Sequence, residues 1–359
     1  MSIAPPSADL LDQPALELMD LFGRMRSLAD RHGFSGTLPA VWQCSDETQM
    51  IKKALFGYFF DCPVFNLGRV GALLDPSKVR PASEHGRDLV ILGGSHLGAH
   101  EHNGIGVVQR VHGKMAHCCG KLLQVLDGYL RAYRRAEDLI TLERRAGELV
   151  LDIPYKYLLP KAAGTTARIV LNLPALVTDE PLGESGHGHF FRLNPAFAAR
   201  HAESLAGWPD TRTAIGNLLD AQTFSFRKLL DTGSRDPLTM LELSLFPHLP
   251  DAVSSPYPHR RIADLNTWCQ FHQLAAYLTD LFNGSDRNIF VVAGLTLDQT
   301  IKHNTFIPQF GFKLLRGRAL DTRYYGPREI AALLAEQSVY IPPQSFLEYA
   351  GIAPSTTNS

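Results

Sequence analysis

Cys44, His96 and the adjacent pair Cys118 and Cys119 are the residues of this chain whose types and order could do chemistry. Two thiolates and one imidazole suit Zn2+, and three protein ligands leave a fourth position for a water whose pKa falls towards neutrality. Asp46, two residues past Cys44, could orient that water by accepting its hydrogen bond, or could take the fourth position itself and close the site. Free cysteines are also among the most buried residue types, and a histidine after a Gly-Gly turn is often a hydrogen-bonded loop residue. Spacing alone therefore leaves a packing role open beside a metal site.

The elements around these residues read as an α/β fold in which a mostly parallel central sheet is flanked by helices. Thr37 to Cys44 reads as a short strand, with Ser45-Asp46 as a turn before a helix from Glu47 to Phe59. Asp88 to Leu92 is an apolar run closed by Gly93-Gly94, the pattern of a parallel strand buried on both faces. Cys44 and His96 thus both follow the carboxyl ends of strands, where open α/β sheets gather their ligands. A helix from about Ala116 to Leu149 would carry Cys118 and Cys119 in its first turn, where the helix dipole favours thiolate.

The remaining segments continue the alternation. Leucines, Phe22 and Met25 at helical spacing between Ser7 and His32 predict a packing helix or pair of helices. Further on, strands are expected at Ala167 to Leu173 and Asn288 to Leu297, helices at Arg212 to Leu230 and Ala263 to Phe282, and loops at Thr178 to Gly188 and Thr232 to Asp236. The expected organisation is an N-terminal helical segment over 1–36, a zinc-binding core over 37–150 and additional α/β elements over 151–359.

Composition narrows the classes of function. With 45% hydrophobic and 20% charged residues in 359, the chain has the make-up of an ordinary globular protein with a sizeable core. Lys and Arg number 35 against 36 Asp and Glu, so no basic excess is available for nucleic acid or an anionic membrane. No apolar run is long enough for a membrane span, and the start MSIAPPSADLL lacks the regions of a signal peptide, so the expected compartment is cytoplasmic. Five cysteines are an odd number and do not make a disulfide scaffold.

Four motifs follow one another in a familiar order: Cys44-Ser45-Asp46, Gly93-Gly94-Ser95-His96-Leu97-Gly98, Gly104-Ile105-Gly106-Val107-Val108-Gln109-Arg110, and Cys118-Cys119-Gly120. Over Thr37 to Gln124, about a quarter of the chain, the sequence resembles the limiting-CO2-inducible protein B/C (LCIB/C) type of β-carbonic anhydrase. The resemblance implies a zinc-dependent enzyme interconverting carbon dioxide and bicarbonate, usually a homodimer, with Cys44, His96 and Cys119 as metal ligands and Asp46 as the family's aspartate. In β-carbonic anhydrases an arginine commonly pairs that aspartate and keeps it off zinc, often four residues after the cysteine. Here that position is Thr48. The partner must come from elsewhere or be absent; Arg110 is the first choice and Arg69 the second. Cys118 and Cys119 would point about 100° apart on a helix, so one of them faces the metal, and Cys119 is preferred.

Two further readings stand beside this one. A catalytically silent zinc protein of the same fold, acting in bicarbonate sensing, regulation or complex formation, is consistent with Thr48. A zinc hydrolase or thiol enzyme using Cys118-Cys119 is the third. His100, His102, His112 and His117 are candidate proton shuttles. His187-Gly188-His189 reads as an exposed loop, the aromatic run Phe56 to Phe65 as packing, and Arg131, Arg134, Arg135, Arg144 and Arg145 as a solvated helix face.

Overall fold

The computed structural model describes residues 14–85, 87–100, 104–110, 113–159, 162–298, 304–316, 322–343 and 345–346. The chain forms two compact units: residues 1–123, 236–241 and 262–359 make the first, and 124–235 with 242–261 the second. Residues from both sides of position 150 therefore build the first unit.

Its sheet runs, from one edge, Leu16–Glu17, Asn304–Leu314, Ile289–Asp298, Asp88–Gly93, Thr37–Trp42 and Phe65–Asn66. Ile289–Asp298, Asp88–Gly93, Thr37–Trp42 and Phe65–Asn66 run parallel to one another, and Asn304–Leu314 pairs antiparallel with Ile289–Asp298 and with Leu16–Glu17. The apolar runs make this arrangement, because alternate residues point to opposite faces and both faces are covered. On one side Leu38, Ala40, Leu89, Ile91, Ile289 and Val291 pack against Phe271, Leu274 and Leu278 of the helix Pro258–Phe282. On the other, Val41, Val90, Leu92, Phe290 and Val292 pack with Leu21, Phe22 and Met25 of the helix Leu18–Arg31, and with Phe56 and Phe60 of Met50–Phe60. The aromatic run after Cys44 is core, as Phe22, Phe56, Phe59 and Phe60 meet at 5.1–5.8 Å between ring centroids.

The second unit holds a five-stranded antiparallel sheet among its described residues, ordered Val177–Glu184, Gly188–Leu193, Glu148–Pro154, Thr141–Arg145 and Thr213–Ala214, and a ribbon of Arg168–Leu171 with Phe224–Arg227. Three expectations fail here. The helix Gly120–Leu139 ends ten residues before Leu149, because Thr141–Arg145 and Glu148–Pro154 pair as a hairpin around Ala146 and Gly147, both at positive φ. Residues 212–230 hold no α-helix; the alternation Phe224-Ser225-Phe226-Arg227 makes a strand with the two phenylalanines buried. Within the loop expected over Thr178 to Gly188, residues up to Glu184 are strand, laid against Gly188–Leu193 with bulges that absorb Pro181 and Gly183, and residues 185–187 make the turn between the two strands. The expected helix from Ser7 is described from Leu18 onwards.

Candidate metal centre

The first unit's sheet delivers its chemistry at the carboxyl ends of three parallel strands. Thr37–Trp42 leads through Gln43 to Cys44, Asp88–Gly93 leads through Gly94-Ser95 to His96, and Ile289–Asp298 ends on Asp298. The Gly-Gly turn is enforced by close approach: Gly94 has φ +130°, and a Cβ there would lie 1.8 Å from the carbonyl oxygen of Gly294. Gly98 meets the backbone of Val107 in the same way, a Cβ lying 2.3 Å from its carbonyl group. That contact draws the strand Val107–Gln109, and with it Arg110, towards the segment after His96. Ser95 is fixed by Thr267 Oγ1, which accepts from its amide at 3.0 Å, and by Asn266 Nδ2, which donates to its hydroxyl at 2.9 Å.

Cys44, His96 and Cys119 converge, their ligand atoms lying within 4.8 Å of one another and all three residues buried. The sulfurs of Cys44 and Cys119 are 3.6 Å apart. Two thiolates on one tetrahedral zinc, with bonds of ~2.3 Å, would stand ~3.8 Å apart. His96 Nδ1 is held by Asp298 Oδ2 at 2.8 Å, which leaves Nε2 as the other ring nitrogen; it is buried and has no hydrogen-bond partner among the described residues. An orphaned buried nitrogen beside two facing thiols is a donor set lacking its acceptor, and a soft metal ion fits it. The residues present therefore match zinc.

Protonation of the cluster follows the same geometry. The hydrogen bond shared with Cys119 holds the Cys44 thiol below its ordinary value against the opposing effect of burial, and the Gly71 amide donates to the same sulfur at 3.2 Å. Cys119 is pushed up correspondingly, by that bond and by burial. The Cys119 carbonyl accepts from Leu123 N, so the residue sits at the start of the helix Gly120–Leu139 and not inside its first turn. Burial favours neutral His96, but Asp298 together with Cys118, Cys119 and Cys44 outweighs it and raises the imidazole well above its ordinary value.

Cys118 meets the imidazole at Nδ1. Its sulfur is 3.2 Å from His96 Nδ1 and 3.3 Å from Asp298 Oδ2, and with Asp46 and His96 it forms a second convergent group. Asp46 is held by Arg110 and Thr48. Arg110 Nη1 donates to Oδ1 at 2.8 Å and Nη2 to Oδ2 at 3.1 Å, a bidentate pair. The amide and hydroxyl of Thr48 each lie 3.0 Å from Oδ1. Although burial opposes it, Arg110 and Thr48 hold the Asp46 carboxyl far below the usual carboxylate range. Arg69 is committed elsewhere, with Nη2 at 2.7 Å from Asp75.

A network absent from the sequence reading stands behind His96. Asp298 is 2% exposed and accepts from Gln49 Nε2 at 2.9 Å, from buried Lys52 and from His96. Thr48 Oγ1 is 3.1 Å from Asp298 and 3.0 Å from Asp46, so one hydroxyl ties both carboxylates together. The one signal for Asp298 in the sequence is an apolar strand, Ile289 to Leu297, that ends on an acid.

His117 is exposed and gives its carbonyl to Arg110 Nη2 at 3.2 Å. His102 and His112 lie outside the described residues, as does the side chain of His100. His187 stands 3.3 Å from buried Asp152, which also pairs with Arg212 at 2.7 Å, so the His-Gly-His stretch enters an ion-pair cluster; among the described residues it forms no metal-ligand group.

Comparison with solved structures places this fold. The chain is similar to the crystal structure of PtLCIB4, a homolog of the limiting CO2-inducible protein LCIB, with a TM-score of 0.51 and 13% identity over 87% of this chain and 94% of that one. A mutant of PtLCIB4 matches at a TM-score of 0.52 and 12% identity, covering 86% and 92%. No protein-family model matches the sequence, and neither does any curated protein. The chain thus has the LCIB-type α/β fold, a mostly parallel sheet between helices, and its motifs resemble that family. No helix among the described residues is long and apolar enough to cross a membrane.

Proposed function

We propose that the chain is an LCIB-type carbonic anhydrase, a zinc-dependent lyase that reversibly hydrates carbon dioxide to bicarbonate. The observation that carries this reading is the juxtaposition of the convergent, buried Cys44, His96 and Cys119 donor set with an Asp46 carboxylate locked by Arg110. Zinc held by those three residues would supply the Lewis acidity that brings the pKa of a water near neutrality.

The chain's own groups do the rest. Asp46 Oδ1 accepts from Arg110 and twice from Thr48, whereas Oδ2 accepts from Arg110 alone among the described residues. Oδ2 therefore keeps the capacity to accept a hydrogen bond from the attacking water and aim its oxygen at the carbon of carbon dioxide. Arg110 acts by position, turning the carboxylate towards that water and restraining it from the metal. Asp46 stays ionised, so it orients and does not store the proton. Water adds to carbon dioxide, the new C–O bond yields bicarbonate, and one proton leaves to buffer. The silent-site reading expects a free Asp46 that closes the centre, and the bidentate pair argues against it. The proposal carries with it the homodimer that the family resemblance implies and the cytoplasmic setting expected from the sequence.

Stopped-flow carbon dioxide hydration on protein of counted zinc content tests it. Zinc near one per chain, hydration abolished by Cys44→Ser and lowered about 100-fold or more by Asp46→Asn with zinc retained, supports the enzyme. Zinc without hydration would replace it with the silent reading, and protein without zinc would end both.

A further inference from the structure

The second unit carries a groove of about 1010 Å³ that the reaction does not use. Its lining holds Arg131, Arg134, Arg135, Lys156, Arg168 and Arg227, and Asp138 is the acid among the lining residues. In a chain whose formal net charge is -1, this is a marked local excess of positive charge. Arg131, Arg134, Arg135 and Arg168 form no ion pair with a described carboxylate.

Local structure forces the charges together. On the helix Gly120–Leu139, residues Gly128, Arg131, Ala132 and Arg135 fall at i, i+3, i+4 and i+7 and so share one face. On the ribbon, Arg168 and Arg227 are directly opposed partners on its exposed side. Like charges directly opposite across two strands are destabilising. Between the cations the wall is apolar: Leu159 is 60% and Val170 37% exposed.

We propose that this groove binds a small organic polyphosphate, a multiply charged phosphate ester with an apolar or aromatic portion. Guanidinium forks match phosphate oxygens in bidentate geometry, and an anion between Arg168 and Arg227 relieves their repulsion. Exposed apolar side chains give the organic part a surface that inorganic phosphate would leave wet. The volume is at the upper end for a small-molecule site. An extended acidic peptide would satisfy the charges but would leave the apolar wall of Leu159 and Val170 uncovered.

The test is isothermal titration of the full chain with ATP as the probe, beside adenosine, inorganic triphosphate and a polyglutamate peptide. Saturable ATP binding, at least tenfold tighter than adenosine or triphosphate, is expected. The paired charge reversals Arg131→Glu and Arg168→Glu should weaken it about tenfold or more. Gly128→Phe supplies an independent block: a Cβ at Gly128 meets open space, so the ring fills the groove without disturbing the helix, and it should weaken ATP equally while the melting temperature holds. Failure of ATP to saturate, or binding indifferent to both variants, would overturn the proposal. Triphosphate binding as tightly as ATP would remove the organic portion from it, and displacement by polyglutamate at similar affinity would reassign the groove to a protein segment. Carbon dioxide hydration is read separately and does not bear on the result.

Discussion

Cys118 and Cys119 are neighbours in sequence with different contacts around one imidazole, which gives them separable roles. Cys119 stands against Cys44, their sulfurs 3.6 Å apart, in the group completed by His96, while Cys118 touches the side of His96 already held by Asp298. Chelator competition should therefore show that Cys119→Ser loses zinc and Cys118→Ser keeps it, and that Asp298→Asn, which slackens the imidazole without removing a ligand, weakens zinc about 10- to 100-fold. Loss of zinc in Cys118→Ser with retention in Cys119→Ser would reverse the ligand assignment. The sequence displayed the soft ligands, because cysteine and histidine advertise their chemistry wherever they stand. Asp298, Lys52 and Gln49 look like ordinary polar residues until strand pairing sets His96 beside Thr296, two residues from Asp298. Asp75 shows a second residue-scale consequence. Despite opposing burial, Ser77, Arg69 and Lys78 hold its carboxyl below the usual value. The unfolded chain, with Asp near ~3.9, takes up the proton first, so this contribution is present above that pH and is lost as pH falls through it towards the lower folded value. The melting-temperature gap between the parent and Asp75→Asn should be widest near neutrality and close by about pH 3; a gap independent of pH would show that Asp75 acts through packing.

Elements were legible where burial on both faces wrote a continuous apolar run. Thr37–Trp42, Asp88–Gly93 and Ile289–Asp298 are such runs, and so is the long helix containing Phe271 and Leu278. Elements with one wet face were misread, because their polar alternation is short and overlaps the helical period. Leu142-Glu143-Arg144-Arg145 before Ala146-Gly147 continues a helix by composition, yet the turn and the pairing of Leu142 with Leu151 make it a hairpin. The turn places a non-glycine residue at Ala146 with φ +47°. A Cβ in that region costs about 1 kcal/mol, so Ala146→Gly should stabilise the chain by about 0.5–1 kcal/mol in urea unfolding with an unchanged m-value. Destabilisation would mean that the flexibility gained by the unfolded chain outweighs the strain relieved.

At the scale of the whole molecule, the motifs that resemble the LCIB family occupy about a quarter of the sequence, but the sheet that positions them does not stop there. Asp88–Gly93 lies between Thr37–Trp42 and Ile289–Asp298, and the latter also pairs in parallel with the His96 strand. Without residues 289–298, the strands carrying Cys44 and His96 would keep one shared seam, and Ile91, Leu92 and Val90 would lose the strand that covers their edge. His96 would lose its carboxylate as well. The helix carrying Phe271 and Leu274, which packs on the same face as Leu38 and Ile91, would be missing too. A chain cut after residue 150 thus holds Cys44, His96, Cys119, Asp46 and Arg110 but neither the sheet centre nor one of its covering layers. It should be devoid of cooperative thermal unfolding by circular dichroism and should bind zinc at least 100-fold more weakly than the full chain, since a preformed site lowers the ordering cost of binding. A fragment that melts cooperatively and holds stoichiometric zinc would show that the motif-bearing segment specifies the centre by itself, and that the C-terminal strands only cover it.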